Sequence, residues 1–216
     1  MLNLTPPVLI SRLLTLVIAF TVHEFAHAWS ADQFGDDTPR RYGRLTLNPL
    51  AHLDPMGSLM LLVVGFGWAK PVPVNPYALE RRASSAYMWV SLAGPLSNML
   101  LAILAAIPIR MGLVDIWAGF GESQNIFPTP AQFLVQFIMI NLLLLLFNLI
   151  PLAPLDGEKV ALYILPPNLA EPLARLSPYG PVLLLVIAVG LPYLGIDLLG
   201  WMIYPALRAM FSLLVG

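Results

Sequence analysis

A chain of 216 residues in which 58% are hydrophobic and only 11% are charged has too little polar surface to coat a soluble globule; ordinary soluble domains carry about 25% charged residues. The mean hydropathy of +0.79 places it among integral membrane proteins, and the length suits one membrane-embedded domain over 1–216, with no sizeable soluble domain beside it. A net charge of −1 gives no sign of a nucleic-acid partner, and the absence of cysteine excludes disulfides and thiolate metal sites.

A membrane-crossing helix needs roughly 20 mainly apolar residues. The first such stretch follows Pro6-Pro7 and runs from Val8 to Ala31. It carries the most informative residues of the chain, so it reads as a retained span rather than a cleaved signal peptide. Met56 to Phe66 is apolar but short, which fits a re-entrant or interfacial segment. The proline-rich run from Gly67 to Pro76 predicts an extended segment or short β-hairpin, with Leu45-Thr46-Leu47 as a partner strand. Further spans are expected at Ala83–Met111, Ala131–Ile150, Pro181–Leu194 and Ile196–Leu214. The fold class is therefore all-α integral membrane: about five transmembrane helices plus a re-entrant segment with a short β-hairpin. Its core covers about 8–165, and a C-terminal helical hairpin covers about 180–214.

Basic residues cluster after the first span (Arg40, Arg41, Arg44) and before the second (Lys70, Arg81, Arg82). If residues 45–80 enter and leave on one side, both clusters share that side, and the positive-inside rule makes it cytoplasmic. The N-terminus then lies outside, in the cell membrane of a prokaryote. Asp32, Asp36 and Asp37 follow the first span and are read as solvated.

The strongest chemical signal is His23-Glu24-Phe25-Ala26-His27. On a helix, residues four apart share a face, so both imidazoles reach one metal ion while Glu24 stands beside them as a proton acceptor. Each ionisable group is costly inside an apolar helix, about 2.5 kcal/mol or more for a central acidic residue, and such groups are functional by default. The pattern points to one zinc ion, which generates a nucleophile from water at neutral pH.

A catalytic zinc takes three protein ligands. With no cysteine, the remaining candidates are His52, the third histidine of the chain, and a few acidic residues near the spans. Asp156 stands out in the run Asn148 to Gly157, where Pro151 and Pro154 break the third span. Non-helical backbone at membrane depth is tolerated when it lines a cavity or is buried in protein. Asp156 thus reads either as the third ligand or as the N-cap of a helix starting at Gly157.

In the order of its motifs, the chain resembles the site-2 protease family of intramembrane zinc metalloproteases, in its compact form without a PDZ domain. The resemblance rests on His23 to His27, on Asn48-Pro49-Leu50-Ala51-His52-Leu53-Asp54-Pro55-Met56-Gly57, on Gly94-Pro95-Leu96-Ser97-Asn98, and on Asn148 to Gly157. It implies an endopeptidase that cuts in or near membrane spans, with His23, His27 and Asp156 on zinc and Glu24 as general base. It also implies a β element near the site, around Trp68 to Pro76, that holds substrate extended. Single-span membrane proteins or leftover signal peptides in the lipid bilayer are the implied substrates.

Three further polar residues are candidates for substrate contact. Asn148 reads as a substrate or oxyanion contact or as interhelical hydrogen bonding, and the resemblance tips it toward substrate contact. Asn98 reads equally as a substrate contact or as interhelical hydrogen bonding, whereas Asn141 reads only as the latter. His52 fits a resting-state metal ligand, a substrate contact, or a loop cap with Asp54. A metal transporter with a His pair along its path is the rival reading. A degenerate scaffold is the other, and the intact His-Glu-His set opposes it.

Overall fold

The computed structural model describes residues 5–57, 67–121 and 126–216. The Pro6-Pro7 pair that precedes the first apolar stretch also starts its helix. Proline is at home in the first helical turn, where its missing N–H has no partner to lose. Helix α1 spans Pro6–Gln33 and stops at Gly35, whose φ of 88° suits glycine. After it come the short helices α2 (Thr38–Arg41) and α3 (Pro76–Arg82), then α4 (Ala86–Arg110). Helix α5 (Pro130–Asn148) begins with a capping box between Thr129 and Gln132, which satisfies two backbone donors reciprocally. Helix α6 covers Asp156–Ile164.

Helices α1, α4 and α5 pack against one another and frame the molecule. Ala102, Ala105 and Ala106 of α4 bring its backbone close to Ile138 and Leu142 of α5, the small-residue packing that membrane helices use in place of a hydrophobic driving force. Helix α9 (Leu198–Val215) adds Ile203 and Leu207 to this core. Among the described residues, five helical runs are long and apolar enough to cross a membrane: Pro6–Gln33, Ala86–Arg110, Pro130–Asn148, Pro167–Tyr193 and Leu198–Val215. The protein is thus a multi-pass membrane protein. Its fourth run begins at Pro167 rather than Pro181, because α7 (Pro167–Leu176), a 3-10 turn and α8 (Gly180–Leu185) follow one another without an extended break.

The expected β-hairpin is not present. Among the described residues no β-strand forms, and in Leu45-Thr46-Leu47 the first two residues bend and Leu47 is irregular. A single antiparallel bridge joins Leu53 to Ala69. The reason lies in where the backbone bonds of residues 67–75 go. Pro71 and Pro73 have no N–H to offer a ladder. The amide of Val72 donates to Glu24 and that of Asn75 to Asp36, while the carbonyls of Lys70 and Pro71 accept from Arg44. Side chains take the bonds that a partner strand would have taken. The result is an extended strap across one end of the helix frame. Most of the expected re-entrant stretch, residues 58–66, lies outside the described residues.

Candidate metal centre

His23 and His27 lie on the buried face of α1, one turn apart, as their spacing requires. Asp156 comes from the other side. After α5 ends at Asn148, Pro151 and Pro154 keep residues 149–155 from continuing the helix. Turn bonds from Leu152 to Ile150 and from Leu155 to Leu152 fold them back on themselves. A side chain at Gly157 would collide with the Leu149 and Ile150 carbonyls, so glycine lets α6 start this close to the end of α5. Lys159 donates to the carbonyls of Pro154 and Leu155 and pairs with Glu158, fixing the first turn of α6 around Asp156. The Asp156 side chain does not cap its helix. It faces the two imidazoles instead.

Three ligand-type atoms converge there. His23 Nε2 and His27 Nε2 are 3.0 Å apart, and Asp156 Oδ2 lies 3.2 Å from the first and 3.3 Å from the second. For a tetrahedral ion with bonds of about 2.0–2.1 Å, ligand atoms sit about 3.3 Å from each other. The triangle therefore has the size of one face of such a coordination shell, and the donor set can hold a metal ion. The far nitrogens of both rings are engaged. His27 Nδ1 donates to the Val90 carbonyl at 2.7 Å, and His23 Nδ1 lies 2.7 Å from Asn98 Oδ1. Metal-ligating histidines have this outer partner almost without exception. Burial pushes the Asp156 carboxyl up, but the imidazoles of His27 and His23 beside it more than offset this and hold it well below the usual carboxylate range.

Gly94 completes the cradle. A Cβ at this position would strike His27 Nε2 and come within 2.6 Å of His23 Nε2. Val90, Gly94 and Asn98 are spaced four residues apart on α4, so one helix face supplies a carbonyl, a gap and an amide to the histidine pair.

A cavity of about 390 Å³ opens onto this triangle. Glu24, Val72, Tyr87, Asn148 and Lys159 line it along with the three ligand-type residues. Glu24 accepts the Val72 amide at 3.1 Å, so the strap passes directly beside it. Asn148 reaches the cavity wall while its amide donates to the Leu144 carbonyl one turn back. Asn98 and His52 are not among the lining residues. Asn98 is fully buried behind His23, and its amide nitrogen donates to Asn141 Oδ1 at 3.0 Å. His52 is fully buried in the loop, with Nε2 2.7 Å from the Thr46 carbonyl and its own carbonyl accepting from Lys70.

Two residues beside the site escaped the sequence reading. Asp36, expected in solvent, is 2% exposed and accepts from the backbone amides of Thr38 and Asn75. Arg44, read only as a topology marker, is 5% exposed and donates to the carbonyls of Ala51, Lys70 and Pro71. Both hold the strap. The available signal was weak: Asp36 follows Gly35 at a helix stop, and Arg44 precedes a loop in which Pro49 and Pro55 lack an N–H to donate.

Five apolar helical runs among the described residues, with His23, His27 and Asp156 gathered between them and the chain after α5, define a multi-pass membrane protein with a cluster able to hold a metal ion. YwhC of Bacillus subtilis, a candidate zinc metalloprotease, is 42% identical to the chain over 178 residues, which cover 82% of this chain and 78% of YwhC. The candidate zinc metalloproteases Rip2 of Mycolicibacterium smegmatis and of Mycobacterium tuberculosis are each 32% identical to it. The matches cover 80% of this chain and 64% of the first, and 86% of this chain and 67% of the second. No family model matches, and no solved structure matches. The chain belongs to the site-2 protease family, whose relatives here are bacterial.

Proposed function

We propose that this protein is a zinc-dependent intramembrane endopeptidase of the His-Glu-x-x-His type. On this reading it hydrolyses peptide bonds in or near the spans of single-span membrane proteins or signal peptides. The observation that carries the reading is the triangle of His23 Nε2, His27 Nε2 and Asp156 Oδ2, with edges of 3.0–3.3 Å, opening onto the cavity that Glu24 lines. His23, His27 and Asp156 hold one zinc ion. Bound there, zinc supplies Lewis acidity toward a carbonyl oxygen and toward water.

The chain's own residues do the rest. Glu24 takes a proton from the attacking water and passes it to the leaving amine as the C–N bond breaks, so one water becomes the new carboxylate and amine. The Val72 amide at 3.1 Å orients that carboxylate toward the cavity. Asn148 on the cavity wall holds the substrate backbone, since its amide has donor and acceptor capacity beyond the bond to Leu144. Cleavage calls for an unwound substrate segment, because a peptide carbonyl inside a helix is already hydrogen-bonded and shielded.

The test measures zinc content and cleavage of a detergent-solubilised single-span helix by purified wild type, Glu24→Gln and Asp156→Ala. Wild type should carry one zinc and cut. Glu24→Gln should keep its zinc and lose about 10²–10⁴-fold in rate, the range for a general base. Asp156→Ala should bind zinc poorly. Cleavage by Glu24→Gln at the wild-type rate sinks the mechanism. A loss of metal affinity in Glu24→Gln, with no cleavage by wild type, returns the transporter reading.

A further inference from the structure

A neutral imidazole binds metal through the nitrogen that lacks the proton, so the tautomer of each histidine decides whether the site exists. For His27 the matter is local: its Nδ1 faces the Val90 backbone carbonyl, which only accepts, so the proton sits on Nδ1 and the Nε2 lone pair faces the centre. His23 has no such carbonyl. Its Nδ1 faces the side-chain amide of Asn98, which can present either an acceptor or a donor. A flipped Asn98 would offer its NH₂ to Nδ1, drive the proton to Nε2 and remove the ligand.

The neighbours of Asn98 forbid that flip. The Asn98 amide meets the Asn141 amide of α5 at 3.0 Å, and the Asn141 Nδ2 lies 2.8 Å from the Phe137 carbonyl one turn back. That carbonyl only accepts, so Asn141 must turn its NH₂ toward it and its Oδ1 toward Asn98. Asn98 must then donate through Nδ2 and present Oδ1 to His23. Asn98 and Asn141 are both fully buried, so no water offers either amide an alternative partner.

We propose that Asn98 and Asn141 are positioning residues that form a polarity relay, which sets the tautomer of His23 from a backbone carbonyl three links away. Asn141 touches neither the histidine pair nor the cavity, yet on this account it governs metal affinity. The inference rests on the zinc reading above.

The test is zinc affinity by chelator competition on the full-length detergent-solubilised protein, together with nitrogen-15 NMR of the imidazoles in the zinc-loaded state. Wild type should show both histidines bound through Nε2, with the His23 Nδ1 proton protected from exchange. Asn98→Leu should lose about 10–100-fold in zinc affinity, the range for an outer partner of a metal ligand. Asn141→Leu should weaken zinc about 10-fold and expose the Nδ1 proton to exchange, although it lies outside the centre. The double variant should be no worse than Asn98→Leu alone, because both act through one ring. A merely structural asparagine pair would lower the thermal midpoint and leave zinc affinity and the Nδ1 proton unchanged, which overturns the relay. Binding of His23 through Nδ1 in wild type overturns it without any variant needing to fold. Wild type that binds no zinc removes the zinc reading itself and the relay with it, whereas tight zinc in both wild type and Asn141→Leu removes the relay alone.

Discussion

The two walls of the cavity are built by opposite means. On one side, α1 and α4 hold His23 and His27 with regular helices, a gap at Gly94 and hydrogen bonds to Val90 and Asn98. On the other side, the strap of residues 67–75 has no regular structure and hangs from two buried charges, Asp36 and Arg44. The helical wall satisfies its backbone internally, as a membrane setting demands. The strap cannot, because its prolines remove donors and leave carbonyls without a ladder. Charged side chains are the substitute. A metal centre needs fixed angles, which helices supply. On the proposed function, a wall that meets varied peptide segments needs exposed backbone beside Glu24, and an extended strap supplies that.

Substitutions on each wall sharpen this contrast. The largest effect is expected at Gly94. Gly94→Val places a branched side chain where a single Cβ already meets both Nε2 atoms, so zinc affinity should fall by about 100-fold or more and cleavage with it. Normal zinc content in purified Gly94→Val, measured by atomic emission, would show that the gap has no part in the centre. The strap should separate zinc from activity. Arg44→Leu removes the donor to the carbonyls of Ala51, Lys70 and Pro71 and shifts the strap beside Glu24. Cleavage should drop about 10²-fold, the scale of a misplaced active-site element, with zinc bound as in wild type. Parallel loss of zinc would mean that the two walls are one unit. Asp36→Asn should act in the same sense but less, lowering stability by about 1 kcal/mol as a charged acceptor becomes a neutral one. At the bottom of the scale, Arg41→Ala removes an exposed i,i+4 pair with Asp37 and should leave zinc, cleavage and the thermal midpoint as in wild type.

The spans were the most legible part of the chain. Long apolar runs bounded by proline and glycine have few other physical outcomes, and each of the five regions expected from the sequence overlaps a helical run able to cross a membrane, with ends that differ by a few residues. The exception at Pro167 is instructive: α7 carries Glu171 and Arg175 and is too polar to read as part of a span, yet it is continuous with one. The hairpin was misread because proline does argue against helix, but extended backbone becomes strand only when a partner takes its hydrogen bonds.

The same division runs through the site. Local spacing determined that His23, Glu24 and His27 sit together, since helical geometry leaves no other result for residues i, i+1 and i+4. The irregular chain after α5 marked Asp156 as unusual because unpaired backbone is costly in a membrane. Only the tertiary structure decided that Asp156 turns its carboxylate to the imidazoles, that Gly94 is a gap rather than a packing residue, and that Asn98 stands behind a ligand rather than on the cavity wall. It also turned Asp36 and Arg44 inward. These outcomes depend on which groups meet across the chain, 26 residues apart for Arg44 and Lys70, 39 for Asp36 and Asn75 and 75 for His23 and Asn98, and a buried polar side chain takes its role from the partner it finds there, not from its neighbours in sequence.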